Sequence, residues 1–534
     1  MPLAGEPQRA FLEVETSLSG QGWIARLDPA GENMAIAIAQ SAGLPDIISR
    51  VLAARGVKAD EAARFLDPTI KDLMPDPSTL VDCDTAAARI VAAIAAKEQV
   101  VIFGDYDVDG AASSALMFLF LRAWGVEREI YIPYRIFEGY GPNPAAINEL
   151  IDRGAQLIVT VDCGSTSGEA LKAAADRGID VVVIDHHQMG AELPICAALV
   201  NPNRSDDLSG LGHLCAAGVV FMVLVNAARM IRARGDIEGG GIDLLSQLDL
   251  VALATVCDVV PLKGLNRAFV FKGDDATRLM HKEGMAALIR KVGVNGPVNP
   301  YHFGFLIGPR INAGGRIGDA ALGSHLLTLE DPSQADMIAA RLDDLNRERQ
   351  AIETAMLEEA MAEVEAEIGT GEGPAVIVTE KKGWHPGIVG LIAARLKERF
   401  RRPAFAIAFD ANGKGTGSGR SIPGFDIGHV VRAAVEEGLL EKGGGHAMAA
   451  GLTVRRERLG ALRSYFEDKG AREVAKLRDG HRLKIDAALA ASGATLDLID
   501  LSKGRGPTAR AIRSPFSRCP IICFATCVSS ARTI

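Results

Sequence analysis

The chain has 534 residues, 48% of them apolar and 23% charged, with a formal net charge of −9. That length accommodates two to four domains, and the acidic balance argues against a protein that coats polyanions generally, although a local basic groove fits within it. Eight scattered cysteines form no dense framework and indicate a reduced, cytoplasmic chain. The N-terminal segment lacks the basic and apolar blocks of a signal peptide.

In chain order, residues 1–75 mix polar segments with short helical stretches such as "DEAARFL" and read as an N-terminal accessory region. Between 76 and 200, three β-branched apolar runs predict strands: "VVIF" (100–103), "LIVTV" (157–161) and "VVVI" (181–184). Segments such as "PAAINELIDRGA" and "SGEALKAAADRGI" predict helices between them. Fully apolar strands alternating with helices predict a mostly parallel sheet covered on both faces. Its ligands are expected outside the carboxyl ends of the strands. The run "LCAAGVVFMVLVNAA" (214–228) falls short of the roughly 18–20 residues that span a bilayer; it predicts a buried helix, and no membrane partner is expected.

Residues 330–368 are highly charged, with apolar residues at helical spacing. They predict a connecting helix of about 55 Å at 1.5 Å per residue. A second α/β pattern follows, with strands "AVIVTE" and "PAFAIAFD" flanking the helix "GIVGLIAARLKERF". From Lys503 to Ile534 there are six basic residues and no acidic ones, and Cys519, Cys523 and Cys527 recur every fourth residue. Without histidines that spacing is a weak metal signal.

The apolar runs share a feature at their C-terminal ends. The first leads into Asp105, Asp107 and Asp109, the second into Asp162, and the third into Asp185, His186 and His187. "LVALATVCDVVPL" places Asp258 after another apolar run, one that reads as helical. Taken singly, an Asp after a strand is an ordinary helix cap, and Asp185 fits such an orienting role. Together, carboxylates brought to one sheet edge repel and raise one another's pKa, and divalent cations relieve that repulsion. Carboxylates with imidazole suit manganese or magnesium, and this inventory is that of a two-cation site activating water for attack on phosphorus.

"GDYDVDG", "VTVDCG" and "VIDHH" resemble the motifs of the DHH phosphoesterase superfamily. "YIPYRIFEGYG" (131–141), "GPRINAGGRIGDA" (308–320), "GWHPGIVGLIAARL" (383–396), "GSGRSIPGFDI" (417–427) and "GGGHAMAAG" (443–451) resemble the RecJ-type single-stranded-DNA exonucleases. The likeness runs over roughly residues 45–500. It implies an α/β fold: a DHH domain with a mostly parallel sheet, a long connecting helix, a second α/β DHH-associated domain and the start of a β-rich OB domain. The expected boundaries are 1–75 accessory region, 76–290 DHH domain, 291–370 connector, 371–456 associated domain, 457–502 partial OB region and 503–534 tail.

The resemblance also implies roles. Asp105, Asp107, Asp109, Asp162, His186 and Asp258 would hold two divalent cations, Mn2+ or Mg2+, with Asp162 bridging them. Asp162 and His187 would be the catalytic positions, His187 lying beside the scissile phosphate. Ser418, Arg420 and Ser421 would hold a 5′ phosphate or the nearby backbone, the glycines around them letting main-chain N–H groups approach an anion. Arg310, Asn312, Arg316 and His446 would assist. Tyr134, Phe137 and Tyr140 are candidate stacking surfaces for bases. Arg395, Lys397, Arg399, Arg401 and Arg402 could touch the DNA backbone, although a solvated helix end is the plainer reading of that cluster.

The implied activity is hydrolysis of single-stranded DNA from the 5′ end to mononucleotides, in repair and recombination. A single-strand-binding protein and a helicase are the implied partners, and a monomer is expected. A DHH phosphoesterase acting on short oligonucleotides or cyclic dinucleotides is the rival reading, and a non-catalytic scaffold the second. The family continues into an OB-fold, whereas this chain reads "SKGRGPTARAIRSPFSRCPIICFATCVSS". The abrupt loss of acidic residues suggests a shifted frame or truncated gene.

Overall fold

The computed structural model describes residues 10–18, 20–133, 141–190, 192–278, 282–369, 371–479 and 482–498. The chain divides into two compact units. The first comprises Met1–Val14, Trp23–Asp343 and Lys484–Ile534; the second comprises Glu15–Gly22 and Asp344–Leu483.

The first unit is built on a five-stranded parallel sheet of β1 (Val100–Gly104), β2 (Arg128–Tyr131), β3 (Leu157–Val161), β4 (Asp180–Ile184) and β5 (Ala198–Val200), in the order β2-β1-β3-β4-β5. Each of the three β-branched apolar runs between residues 76 and 200 falls on a strand. β1 and β3 are buried along their whole length, as a sheet covered on both faces requires. In register, Val101 pairs with Ile158 and Ile158 with Val181. Val101, Phe103, Ile158, Val181 and Val183 pack on one face with Ile147, Leu150 and Leu171 of two crossover helices.

Four helices set the other elements of the site: α1 (Val108–Ala123), α2 (Ala216–Arg234), α3 (Leu248–Cys257) and α4 (Gly308–Ile317). α2 contains the long apolar run, and it is long and apolar enough by composition to cross a membrane. Yet 67% of its most apolar window is buried inside the protein, as a core helix. N-terminal helices Pro29–Ala42 and Asp46–Ala53 form a small core of Ile38, Ile48 and Leu52, joined by Leu498 from the far end of the described chain.

In this strand order, the chain leaving β1 runs to β2 on one side, and the chain leaving β3 runs to β4 on the other. The crevice between the carboxyl ends of β1 and β3 is the topological switch point, where open α/β sheets bind ligands. Asp105 follows β1 and Asp162 follows β3, so the topology itself brings the two motifs together.

The connecting helix, α5 (Pro332–Ile368), has 37 residues and spans the boundary between the units. The second unit has a mixed sheet of β6 (Ile377–Lys382), β7 (Ala404–Phe409), β8 (Lys414–Arg420), β9 (Lys442–His446) and β10 (Ala449–Arg455), ordered β9-β10-β8-β7-β6. Only β6 and β7 are parallel. Phe405, Ile407, Leu452, Ile427 and Phe466 form its core. After β10 the chain forms a helix over Leu459–Asp479 and a short strand over Leu483–Ile485.

Candidate metal centre

The first aspartate motif is shaped by its glycine. A Cβ on Gly110 would lie 2.4 Å from the carbonyl oxygen of Asp105, so only glycine lets the first turn of α1 fold back onto the loop. Asp107 caps α1, its Oδ1 accepting from the N–H groups of Asp109 at 2.9 Å and Gly110 at 3.1 Å. Asp105 Oδ1 accepts from Tyr106 N–H at 2.8 Å.

Asp109 has a second function. The N-cap of α2 is Cys215, which supplies no side-chain cap. Asp109 reaches across instead, accepting from Ala216 N–H at 2.7 Å and Ala217 N–H at 2.8 Å. The positive end of α2 thus meets a buried carboxylate. Burial nonetheless raises its pKa, with His186 opposing and Asp107 reinforcing that shift.

Asp162, 1% exposed, has the left-handed φ of +61°. Asp adopts that region at modest cost, and strain of this kind gathers at functional sites. Burial raises its pKa well above the usual range, and the charges of Asp109, Asp107, Asp105 and Asp258 push the same way. Carboxylates converging in this way on a buried one require positive charge to stay ionised together.

The His-His motif is held by Asp185. Its Oδ1 accepts from the N–H groups of His186 (2.7 Å) and His187 (3.1 Å) and meets His187 Nδ1 at 2.8 Å; its Oδ2 accepts from Ser165 N–H at 3.1 Å. Burial acts to raise the Asp185 pKa, but the His187 hydrogen bond and the histidine charges hold it well below the usual carboxylate range. For His187, burial acts downward, yet the Asp185 hydrogen bond and charge lift the pKa to about 9.

His186 Nδ1 lies 3.1 Å from the carbonyl of Leu214, which fixes the proton on that nitrogen and leaves the Nε2 lone pair for a cation. Nε2 lies 3.3 Å from Asp162 Oδ1, 3.6 Å from Asp109 Oδ2 and 3.8 Å from Asp258 Oδ2. Asp258 stands at the C-cap of α3, and Val259 turns the chain there with a φ of +61°.

Three groups of ligand atoms lie within 4.8 Å of one another: Asp105, Asp107 and Asp162; Asp109, His186 and Asp258; and Asp162, His186 and His187. Asp162 and His186 each belong to two of them. The oxygen-rich first group and the mixed second group, linked through the 3.3 Å approach of Asp162 Oδ1 to His186 Nε2, match the donor chemistry of paired Mn2+ or Mg2+ ions.

Two residues escaped the sequence reading. Asn201 is fully buried after β5, and its Nδ2 donates to Ser165 Oγ (2.8 Å) and to the carbonyl of His187 (2.9 Å). Asn203 Nδ2 donates to the carbonyl of His186 at 2.6 Å. These asparagines clamp the ligand loop from behind. The available signal was the "NPN" directly after an apolar run, at the sheet edge where the other motifs also lie.

Arg310, Asn312 and Arg316 lie on α4, in the same unit as this centre. A Cβ on Gly315 would meet Tyr106 O at 2.7 Å, so α4 packs directly on the Asp105–Asp109 loop. Arg310 is bound to the buried Asp343, Nε and Nη2 both 2.9 Å from Oδ1. Tyr134, Phe137, Tyr140 and the cysteines of the tail lie outside the described residues.

In the second unit the glycine-rich stretch is a strand interior. β8 pairs with β7 on one side and β10 on the other, so its main-chain N–H groups lie in ladders. This corrects the anion-cradle reading of the glycines. Added Cβ atoms would lie 2.7 Å from Leu452 at Gly417 and 2.4 Å from Phe405 at Gly419; the glycines let the strand lie flat on its core. The alternate face carries Ser418 and Arg420, joined by an Nη1–Oγ hydrogen bond of 2.8 Å. Ser421 is buried, its hydroxyl donating to Phe425 O at 2.6 Å. His446 Nδ1 accepts from Met448 N–H at 3.2 Å. In the basic cluster, Arg395 pairs with Glu353 and Glu398, and Arg402 is buried against main-chain carbonyls of Glu372 and Pro374.

A doubly wound sheet whose switch point gathers carboxylates and imidazoles for two cations defines a phosphoesterase of the DHH class. The N-terminal domain of the DHH family matches residues 99–255 and the DHHA1 domain matches residues 373–469. The single-stranded-DNA-specific exonuclease RecJ of Dickeya dadantii is 36% identical over 485 residues, 88% of this chain and 83% of that protein. The Bacillus subtilis protein of the same name is also 36% identical, over 79% of this chain; the chain spans only about half its length, 52%. The crystal structure of RecJ from Thermus thermophilus with Mn2+ superposes with a TM-score of 0.76 at 27% identity, over 92% of this chain and 68% of that one. The chain belongs to the RecJ family of single-stranded-DNA-specific exonucleases.

Proposed function

We propose that the chain is a metal-dependent exonuclease that hydrolyses single-stranded DNA from the 5′ end and releases mononucleotides. The observation that carries this reading is the joint placement of Asp162 and His186, each shared by two ligand groups at the switch point of the sheet. When bound, paired cations lower the pKa of a water and neutralise charge on the phosphate undergoing in-line displacement.

The residues would divide the work as follows. Asp105, Asp107 and Asp162 would hold one cation, and Asp109, His186 and Asp258 would hold the other, with Asp162 also near the second group. His187 stands beside them with its side chain nearly half exposed, held by Asp185. Asp185 Oδ1, 2.8 Å from its Nδ1, orients the imidazole, which would stabilise or protonate the scissile phosphate. Ser418 and Arg420 of the second unit would hold a 5′ phosphate, and Asn312 and Arg316 of α4 would assist in binding the strand.

A single-strand-binding protein and a helicase that open duplex DNA, a monomeric state and a cytoplasmic location complete the reading, supported by family membership. The test compares a long 5′-phosphorylated single strand with a dinucleotide under Mn2+. Strong preference for the long strand is expected; preference for the dinucleotide would contradict it.

A further inference from the structure

We propose that Tyr301 and Phe305 form a stacking ledge for bases of the strand next to the scissile phosphate. Among the described residues, they are the only aromatics among the exposed large apolar side chains, at 45% and 67% exposure. Their rings stack on each other, with centroids 5.1 Å apart and planes 24° from parallel. An aromatic pair held flat in water offers a π-face that any base can use, which suits an enzyme that reads no sequence.

The local backbone builds the ledge. Asn299 Oδ1 accepts from Tyr301 N–H at 3.0 Å and His302 N–H at 3.2 Å, starting the turn. Residues His302–Ile307 then form a π-helical segment, a geometry that recurs at functional sites. Phe303 and Ile307 are fully buried, so the segment is anchored on one side while residues 301 and 305 face solvent.

The anchor connects the ledge to the metal centre. Cys257 Sγ lies 3.4 Å from the carbonyl of Phe303, and Asp258 is the next residue. A Cβ on Gly304 would touch Val256 at 3.5 Å. The same helix then continues into α4, which packs on Tyr106. The ledge is thus one packing layer from a cation ligand, on the segment that leads to Arg310 and Asn312. Nucleobases are the occupant this position favours; a second copy of the chain is the rival.

The inference rests on the single-strand nuclease reading, and its test separates the two. Steady-state kinetics on a 5′-phosphorylated single strand are measured with the unaltered full chain, Phe305→Ala, Tyr301→Ala and Phe305→Trp. Each alanine variant is expected to raise KM roughly 5–150-fold, the range of one stacked base, and Phe305→Trp to restore it. Unchanged Mn2+ affinity confirms an intact centre. On the unaltered chain, a strand with abasic nucleotides near its 5′ end should show a similar rise, and Phe305→Ala should add little to it. Indifference to abasic positions, or losses that multiply, would overturn the ledge. So would a sedimentation shift in the variants with KM unchanged, which would assign the surface to a second copy. No metal-dependent cleavage by the unaltered chain would overturn the nuclease reading and the ledge with it.

Discussion

Asp162 Oδ1 and His186 Nε2 stand 3.3 Å apart, on loops that leave neighbouring parallel strands. Burial and four nearby carboxylates raise the Asp162 pKa, so this residue burdens the fold unless a cation is present. Asp162→Asn should therefore leave the metal-free protein as stable as the original, or raise its melting temperature by a degree or more, since about 1 kcal/mol moves a unit of this size by roughly 1 °C. The same variant should lose the upward shift that Mn2+ gives the original. Thermal melts with and without Mn2+ check both halves; a lower metal-free melting temperature would count against this account of Asp162.

Asn203 holds the carbonyl of His186 at 2.6 Å without being placed to bind a cation itself. Asn203→Ala should weaken Mn2+ binding by about 10–100-fold, the usual effect of losing a partner that orients a ligand. Calorimetric titration reads it directly. Affinity within twofold of the original would mean that the Asp185 contacts orient the loop unaided.

Gly110→Ala should disrupt the centre through its backbone. The added Cβ would lie 2.4 Å from Asp105 O, and the main chain cannot step aside as a flexible side chain can. Overpacking of this kind costs about 1–3 kcal/mol. Denaturant unfolding and Mn2+ titration should both show the loss.

Gly417→Ala should behave differently. Its clash is with Leu452 in the core of the second unit, far in sequence from every cation ligand. Stability of that unit should fall by about 1–3 kcal/mol while Mn2+ affinity stays unchanged. If Gly417 instead served an anion cradle, the alanine would weaken phosphate binding without loss of stability.

Much of this was legible in the sequence because two physical patterns are local. A strand buried on both faces must be apolar throughout, so "LIVTV" coincides with β3 residue for residue. The aspartates and histidines fall where those runs stop, and the parallel topology carries the stops to one edge. The connector was equally plain: the charged segment with helical spacing is a single helix of 37 residues. The glycines of β8 misled because a row of alternating glycines reads the same whether a strand lies on Phe405 or a loop wraps an anion. Pairing on both sides, a long-range property, decides between them. Asn201 and Asn203 were missed for a related reason: an asparagine after a strand resembles any turn residue until its partner loop is known.

The most direct measurement is cleavage of a 5′-labelled single strand by the purified chain, with Mn2+ and then with excess EDTA, beside Asp162→Ala. Release of the labelled 5′ mononucleotide with Mn2+, and none with EDTA or with the variant, is the predicted result. Cleavage that survives EDTA or the loss of Asp162 would contradict the two-cation centre, as would no cleavage by folded protein that binds Mn2+.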